Sequence, residues 1–426
     1  MCYSKSRERL FYIETMSHQR NLIAQNPKGE FINLKVGHDG HIETNNMKTS
    51  FGESTTAQLA PVLQEIFPYT INTRVWTKTE AKSTISFDEN MAEFKTTAVI
   101  NSQAIMVSKK RIKYRTGMGV MCRFTALWDT DESENYQSFI GIGENDINNG
   151  FYFFKDNVGM YILHSTDGVD NFILQEDWDD PCDGTGDMPA LDWSKGNVFQ
   201  IQFQYLGFGN IKFSIENPDT GEFQLIHMIK YANRNLGTSL RNTTLPFSAG
   251  ILNVIGGTGI QILKTASCAL FVEGTNTINT SITNTAEGDK KTGINEIPVL
   301  SIRNKALFNN TLTNYSNVYP TLISITNEDT KANVVKMILN GTLTNPAFAD
   351  VDAKTSIVDI DTTASAVANG TTIFKIYVNP ASTQQINLRT YDIQLNPSDV
   401  LTFTQKAVSA GQGNTISVIA NFVEDQ

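Results

Sequence analysis

Between Glu176 and Trp193 the chain gathers the residues best suited to chemistry: Glu176, Asp177, Asp179, Asp180, Asp183, Asp187 and Asp192, with Gly184 and Gly186 and two indoles, Trp178 and Trp193. Carboxylates are hard oxygen donors of the kind calcium takes, and glycines allow the sharp turns of a cation loop. Asp179, Asp180, Asp183 and Asp187 are the set such an ion would use. Their spacing is not that of an EF-hand, and Pro181 interrupts the alternation, so a plain solvated turn fits the same residues. The indoles suggest a second chemistry, because the C–H face of a pyranose stacks on an aromatic ring. Trp178, Asp183, Asp187 and Trp193 are therefore a candidate glycan site, with buried sandwich aromatics as the alternative reading.

Elsewhere the chemical signals are thin. His38, Asp39 and His41 form a short string that lacks an evident third metal ligand and equally suits a polar arm. His164 and His227 fall inside strand patterns with no nucleophile motif beside them. There is no GxSxG elbow, no HExxH, no phosphate loop and no paired Glu/Asp run of the glucanase type, so no catalytic residues are assigned and the chain is not expected to be an enzyme. Lys109, Lys110, Arg111, Lys113 and Arg115, with Tyr114 among them, make the one basic cluster. It suits a phosphate or anionic glycan, or an edge strand guarded against aberrant pairing. Cys2, Cys122, Cys182 and Cys268 lack zinc spacing, and Cys122 and Cys268 read as buried free thiols. No cofactor is expected beyond a structural calcium in the acidic loop.

The elements that would position these groups are strands. Phe199, Ile201, Phe203 and Tyr205 alternate with Gln200, Gln202 and Gln204, a period of two. Gly207 and Gly209 turn the chain, and Ile211, Phe213 and Ile215 return on a second strand. Similar runs recur from residue 94 to residue 274, which predicts an all-β jelly-roll sandwich over 57–274. Residues 1–56 read as an extended arm, with Met16 a second candidate start. In QLAPVLQEIFPYTINTRVW, Pro61 and Pro68 limit any helix to a turn or two. Residues 275–295, rich in Thr, Asn and charge, read as a linker, and a further series of strands predicts a second, smaller β-sandwich over 296–426.

The chain has 426 residues, 40% of them hydrophobic, enough for two or three cores. Its formal net charge of -10 disfavours nucleic acid and anionic membrane surfaces as partners. No segment has the length and apolarity of a signal peptide or a bilayer span, so no membrane insertion is expected.

DPCDGTGDMPALDWSKGNVFQIQFQYLGFG from Asp180, HMIKYANRN from His227, LPFSAGI from Leu245 and ASCALFVEG from Ala266 together resemble a family of virion-associated β-proteins of tailed phages and large DNA viruses of aquatic hosts. Asp180, Pro181, Asp183, Gly184, Thr185, Gly186, Leu191 and Asp192 fit the family's loop, and Gly207 and Gly209 its turn. Cys182 departs from the usual aliphatic residue, and DMPA from the usual run of small residues. The resemblance implies a concanavalin-like jelly-roll core and a virion component, associated with the surface, a fibre or a vertex, that contributes to host attachment. Its implied partners are other virion proteins, copies of itself in a homo-oligomer such as a trimer, and a host-surface glycan. The alternative is a carbohydrate-binding, lectin-like module; a glycoside hydrolase or lyase rests on fold analogy alone.

Overall fold

The computed structural model describes residues 59–114, 116–130, 135–254, 257, 259–274, 282–391, 393–409 and 413–425, and the backbone of three short N-terminal strands. Those strands, Phe11–Tyr12, Leu22–Gln25 and Phe31–Leu34, pair as an antiparallel meander within the stretch expected to be an arm. His38, Asp39 and His41 lie outside the described residues.

The described chain is all-β and forms two successive antiparallel sandwiches. In the first, a seven-stranded sheet runs in the order Val169–Leu174, Met160–Thr166, Gly150–Asp156, Tyr136–Gly143, Thr244–Asn253, Gln103–Lys113, Trp76–Ala81. The facing sheet is built around Gly119–Thr130. On one side of that strand lie Asn197–Phe203, Ile211–Glu216 and Phe223–Ile229. On the other side it pairs first with Ser267–Glu273 and then with Gln261–Thr265. The run from Gln261 to Glu273 therefore splits at Ala266, where the amides of Ala266 and Ser267 both donate to the Thr125 hydroxyl.

The hairpin at Asn197–Glu216 forms in the expected register, Phe199 opposite Ile215 and Ile201 opposite Phe213. The chain reverses through Gly207, which has positive φ, and Gly209, where a Cβ would lie 1.7 Å from the Gln204 carbonyl oxygen. Phe199, Phe213, Phe124, Phe153, Phe247 and Trp128 fill the space between the sheets. Burying a Phe side chain is worth ~1.5–3 kcal/mol, so this aromatic layer contributes substantially to the stability of the unit. Pro61 lies within a strand, Leu59–Ile66, and not in a helical turn. That strand is an edge paired only to Ser267–Glu273, with the register slipping beside Pro61, which is where a sheet tolerates proline.

The second sandwich packs a four-stranded sheet on a six-stranded one. The expected linker is corrected here: Ile282–Lys291 is an edge strand paired along its length with Thr415–Asp425. Its sequence looks like a linker because its buried positions must be small. Ala286 is 3% exposed, and a Cβ on Gly288 would come within 2.5 Å of the Val299 carbonyl oxygen. The core is aliphatic, built on Val299, Ile302, Ile323, Val335 and Leu401 with Phe403 and Phe422. Buried polar side chains tie its loops together. Asn327 donates to the carbonyls of Lys331 and Asn379, and Asn333 donates to Asn327. Glu424 accepts from Ser356 Oγ, the Ile357 amide and Asn284 Nδ2.

Candidate functional site

The acidic loop turns its carboxylates onto its own backbone. Asp180, 7% exposed, accepts from the amides of Cys182, Asp187 and Met188 at 3.1, 2.9 and 3.0 Å and from Gln224 Nε2 at 3.1 Å. Gly186 is required beside it, since a Cβ there would sit 2.5 Å from Asp180 Oδ1. Asp183 accepts from the hydroxyl and amide of Thr185, and these bonds hold its carboxyl below the usual value. Asp179 accepts from the Met228 amide and lies 3.5 Å from His227 Nδ1. Burial lowers the His227 pKa, against the opposing effect of Asp179. Asp187 contributes its amide to Asp180. Among the described residues, no three His, Cys, Asp or Glu side chains are grouped to hold a metal. The loop amides and Gln224 thus satisfy the buried Asp180 carboxylate.

The indoles of the expected glycan platform face inward. Trp178 is 4% exposed, meets Phe153 and Trp193 edge to face, and donates from Nε1 to the Ile173 carbonyl. Trp193 is partly buried, lies stacked over Phe199 with centroids 6.3 Å apart, and donates to Gln175. Trp178 lies within the core and Trp193 stacks on it through Phe199, so the structure brings the two indoles together against the core. Cys182 beneath them is buried near Asp180 and Asp183, which pushes its thiol up to about 12 and makes it a poor nucleophile. Burial likewise raises Cys122 and Cys268, both free and buried.

An open cleft of about 420 Å³ lies elsewhere, between the outer face of the seven-stranded sheet and loops at one end of the second sandwich. The first wall is set by strand alternation. Trp76, Ala104 and Met106 point into the core, so Thr77, Thr79 and Val107 point out, Thr77 opposite Val107. A bulge follows: register slips between Pro246 and Ser248, so Ser108, Lys109 and Lys110 stand against Phe247 alone. The Ser108 hydroxyl accepts the Phe247 amide and donates to the Lys110 carbonyl, while the Lys109 amide bonds Val75. Strand Trp76–Ala81 pairs no further than Ser108, and past the Val75 bond the rest of the basic run lies at an open edge. Lys109 and Arg111 share the outward face of Val107 and reach the cleft with it, and Arg111 Nη1 lies 2.8 Å from Glu144.

The second wall is two turns, one carrying Thr313, Asn314 and Tyr315 and the other Asn396 to Asp399. Asn304 joins them, donating to the carbonyls of Ser316 and Leu395 and accepting from Asn314. Asp399 accepts from Asn340 Nδ2 and from the amide and Nδ2 of Asn396. The turns are therefore pinned, and the cleft presents hydroxyls, amides, one phenol and two cations on rigid backbone. Among carboxyls with a shifted pKa, burial raises Glu65, and Glu65 does not line the cleft. Sequence reasoning noted the basic run at Lys109 but not this wall, whose residues lie far along the chain. Tyr114, the aromatic within that run, packs on Tyr205, and its oxygen accepts the Leu206 amide.

No known protein family matches the chain by sequence profile, and no curated protein matches it by sequence. Among solved structures it is similar to a legume lectin-like domain from Entamoeba histolytica, at 15% identity over 50% of this chain and 98% of that one, with a TM-score of 0.31. It is also similar to arcelin-5, a lectin-like defence protein from Phaseolus vulgaris, at 7% identity over 50% and 99% with a TM-score of 0.34. A third is a glycoside hydrolase family protein from Mycobacterium thermorestibile, at 10% identity over 49% and 100% with a TM-score of 0.36. Two lectin-like proteins and a glycoside hydrolase family protein thus stand side by side at similar scores.

Proposed function

We propose that the chain is a carbohydrate-binding protein whose ligand lies in the cleft between the two sandwiches. The observation that carries this reading is the lining. Thr77, Thr79, Asn145, Tyr315 and Ser398 place hydroxyl, amide and phenol groups around a volume within the range of small-molecule sites. Sugars are recognised by such convergent donors and acceptors, with an aromatic ring for the C–H face. Binding without turnover is the simpler role, since the one carboxylate of the lining, Asp399, is already engaged by amides of Asn340 and Asn396. A place on a viral particle, partners there and a trimeric assembly rest on the sequence resemblance and form no part of this proposal.

A glycan array probed with the full chain, and repeated with Tyr315→Ala and Asn145→Ala, tests the reading. Binding by the parent, weakened tenfold or more in both variants, is expected; this corresponds to about 1.4 kcal/mol. A chain that binds no sugar on the array, with or without calcium, overturns it.

A further inference from the structure

We infer that the cleft selects acidic sugars, uronates or sulfated units, over neutral ones, a refinement that rests on the carbohydrate reading above. Charge placement in the cleft carries the inference. Three charged side chains line it, Lys109, Arg111 and Asp399, and Glu144 stands beside them: Arg111 and Glu144 pair with each other, while Asp399 keeps its charge and has its oxygens held by the amides of Asn340 and Asn396 on the second wall. Lys109 is the remaining one. Its backbone amide is taken by Val75, and no carboxylate pairs with its ammonium among the described residues.

Strand alternation sets this placement. Val107, Lys109 and Arg111 are two residues apart along the strand, so they share one face, and all three are on the lining. Lys109 and Thr79 stand on the first wall and Tyr315 on the second, so an anionic group beside the lysine would leave hydroxyl and phenol donors in reach of the same ligand. An unmatched ammonium in a half-buried cleft attracts a carboxylate or sulfate more strongly than a lysine in open solvent, because the local dielectric is lower. The whole chain carries a formal net charge of -10 and repels polyanions in general, so retention of one points to a local site.

The test compares polygalacturonate with its fully methyl-esterified form, which keeps the sugar and removes the charge, and dextran sulfate with dextran. Binding of the full chain is followed by titration calorimetry at low and at physiological salt. Expected is at least tenfold tighter binding of the charged member of one pair or both, weakened by salt, abolished by Lys109→Glu and restored by Lys109→Arg. Lys109→Met, which keeps the apolar stem, guards against a folding defect and is expected to lose the charge preference without a change in melting temperature. Equal binding of charged and neutral members, unaffected at Lys109, overturns the inference and leaves the carbohydrate reading standing. A chain that binds neither pair, nor any sugar on the array, overturns both.

Discussion

The two sandwiches solve the same packing problem with different materials. The first fills the space between its sheets with rings: Phe153 alone meets Phe124, Trp178, Phe199 and Phe213 with centroids 4.7 to 6.2 Å apart. The second has an aliphatic core and fastens its loops with buried amides and carboxylates, as at Asn327, Asn333 and Glu424. Large rings span a wide gap and leave loops free to vary, whereas a buried polar side chain fixes a particular loop by its hydrogen bonds. The rigid turns of the cleft come from the second strategy, and its open strand edge from the first unit.

The sharpest way to break this comparison is to remove one ring. Phe153→Ala should cost about 3–5 kcal/mol, the range for a buried phenylalanine. Because the cores are separate, the loss should fall on one unfolding transition of the full chain, followed by calorimetry, and spare the other. Equal losses in both transitions would mean that the sandwiches unfold as one unit.

Glu424→Ala is the matching cut in the second sandwich. It strands three donors, Ser356 Oγ, the Ile357 amide and Asn284 Nδ2, and should cost about 3 kcal/mol in the other transition. Glu424→Gln, which keeps an acceptor, should recover part of that loss. If both variants melt like the parent, the polar network is decoration and the comparison fails.

The acidic loop is a place where the first sandwich uses the second one's device. Asp180→Ala removes the acceptor of three amides and of Gln224, and should cost about 2 kcal/mol. Added calcium or a chelator should leave the melting temperature of the parent unchanged, since the carboxylate is already spent on the loop. A rise of several degrees with calcium would restore the cation to Asp179, Asp180, Asp183 and Asp187.

How far the sequence could be read follows from the same physics. Alternation at Phe199–Ile215 announces a strand because one face is apolar and the other is not. The outer face misleads in one respect: Gln200 and Gln202 are each 7% exposed, since Arg123 and Glu273 fold over and bond them. Ile282–Lys291 was illegible because its inward slots hold Ala286 and Gly288, which carry no hydrophobic signal. The break at Ala266 was hidden because it depends on Thr125, far away in sequence. The indoles were visible as residues but not as rings packed against the core, since burial is decided by what packs on them. The cleft was least legible of all: its two walls lie some 200 residues apart, joined by no periodicity.

The smallest effect separates the two units by pH. His164 lies in the first sandwich against Phe151 and Tyr231, its Nε2 2.7 Å from the Ser239 carbonyl oxygen. Burial lowers its pKa below the ordinary 6.5, partly offset by the bond to Ser239. A histidine with a lowered folded pKa binds fewer protons in the native state than in the unfolded one, so stability rises with pH in that window. The contribution is complete above about pH 6.5 and is lost as pH falls from there through the lowered value. His227, also lowered by burial, adds in the same direction and in the same sandwich. The first transition should therefore weaken between pH 7.5 and 5.5 more than the second, before the carboxylates begin to titrate. His164→Gln, which keeps a donor for Ser239 but cannot titrate, should flatten part of that slope, and the double variant with His227→Gln more of it. A slope unchanged in the double variant would place the acid sensitivity elsewhere and remove pH as a means of telling the two units apart.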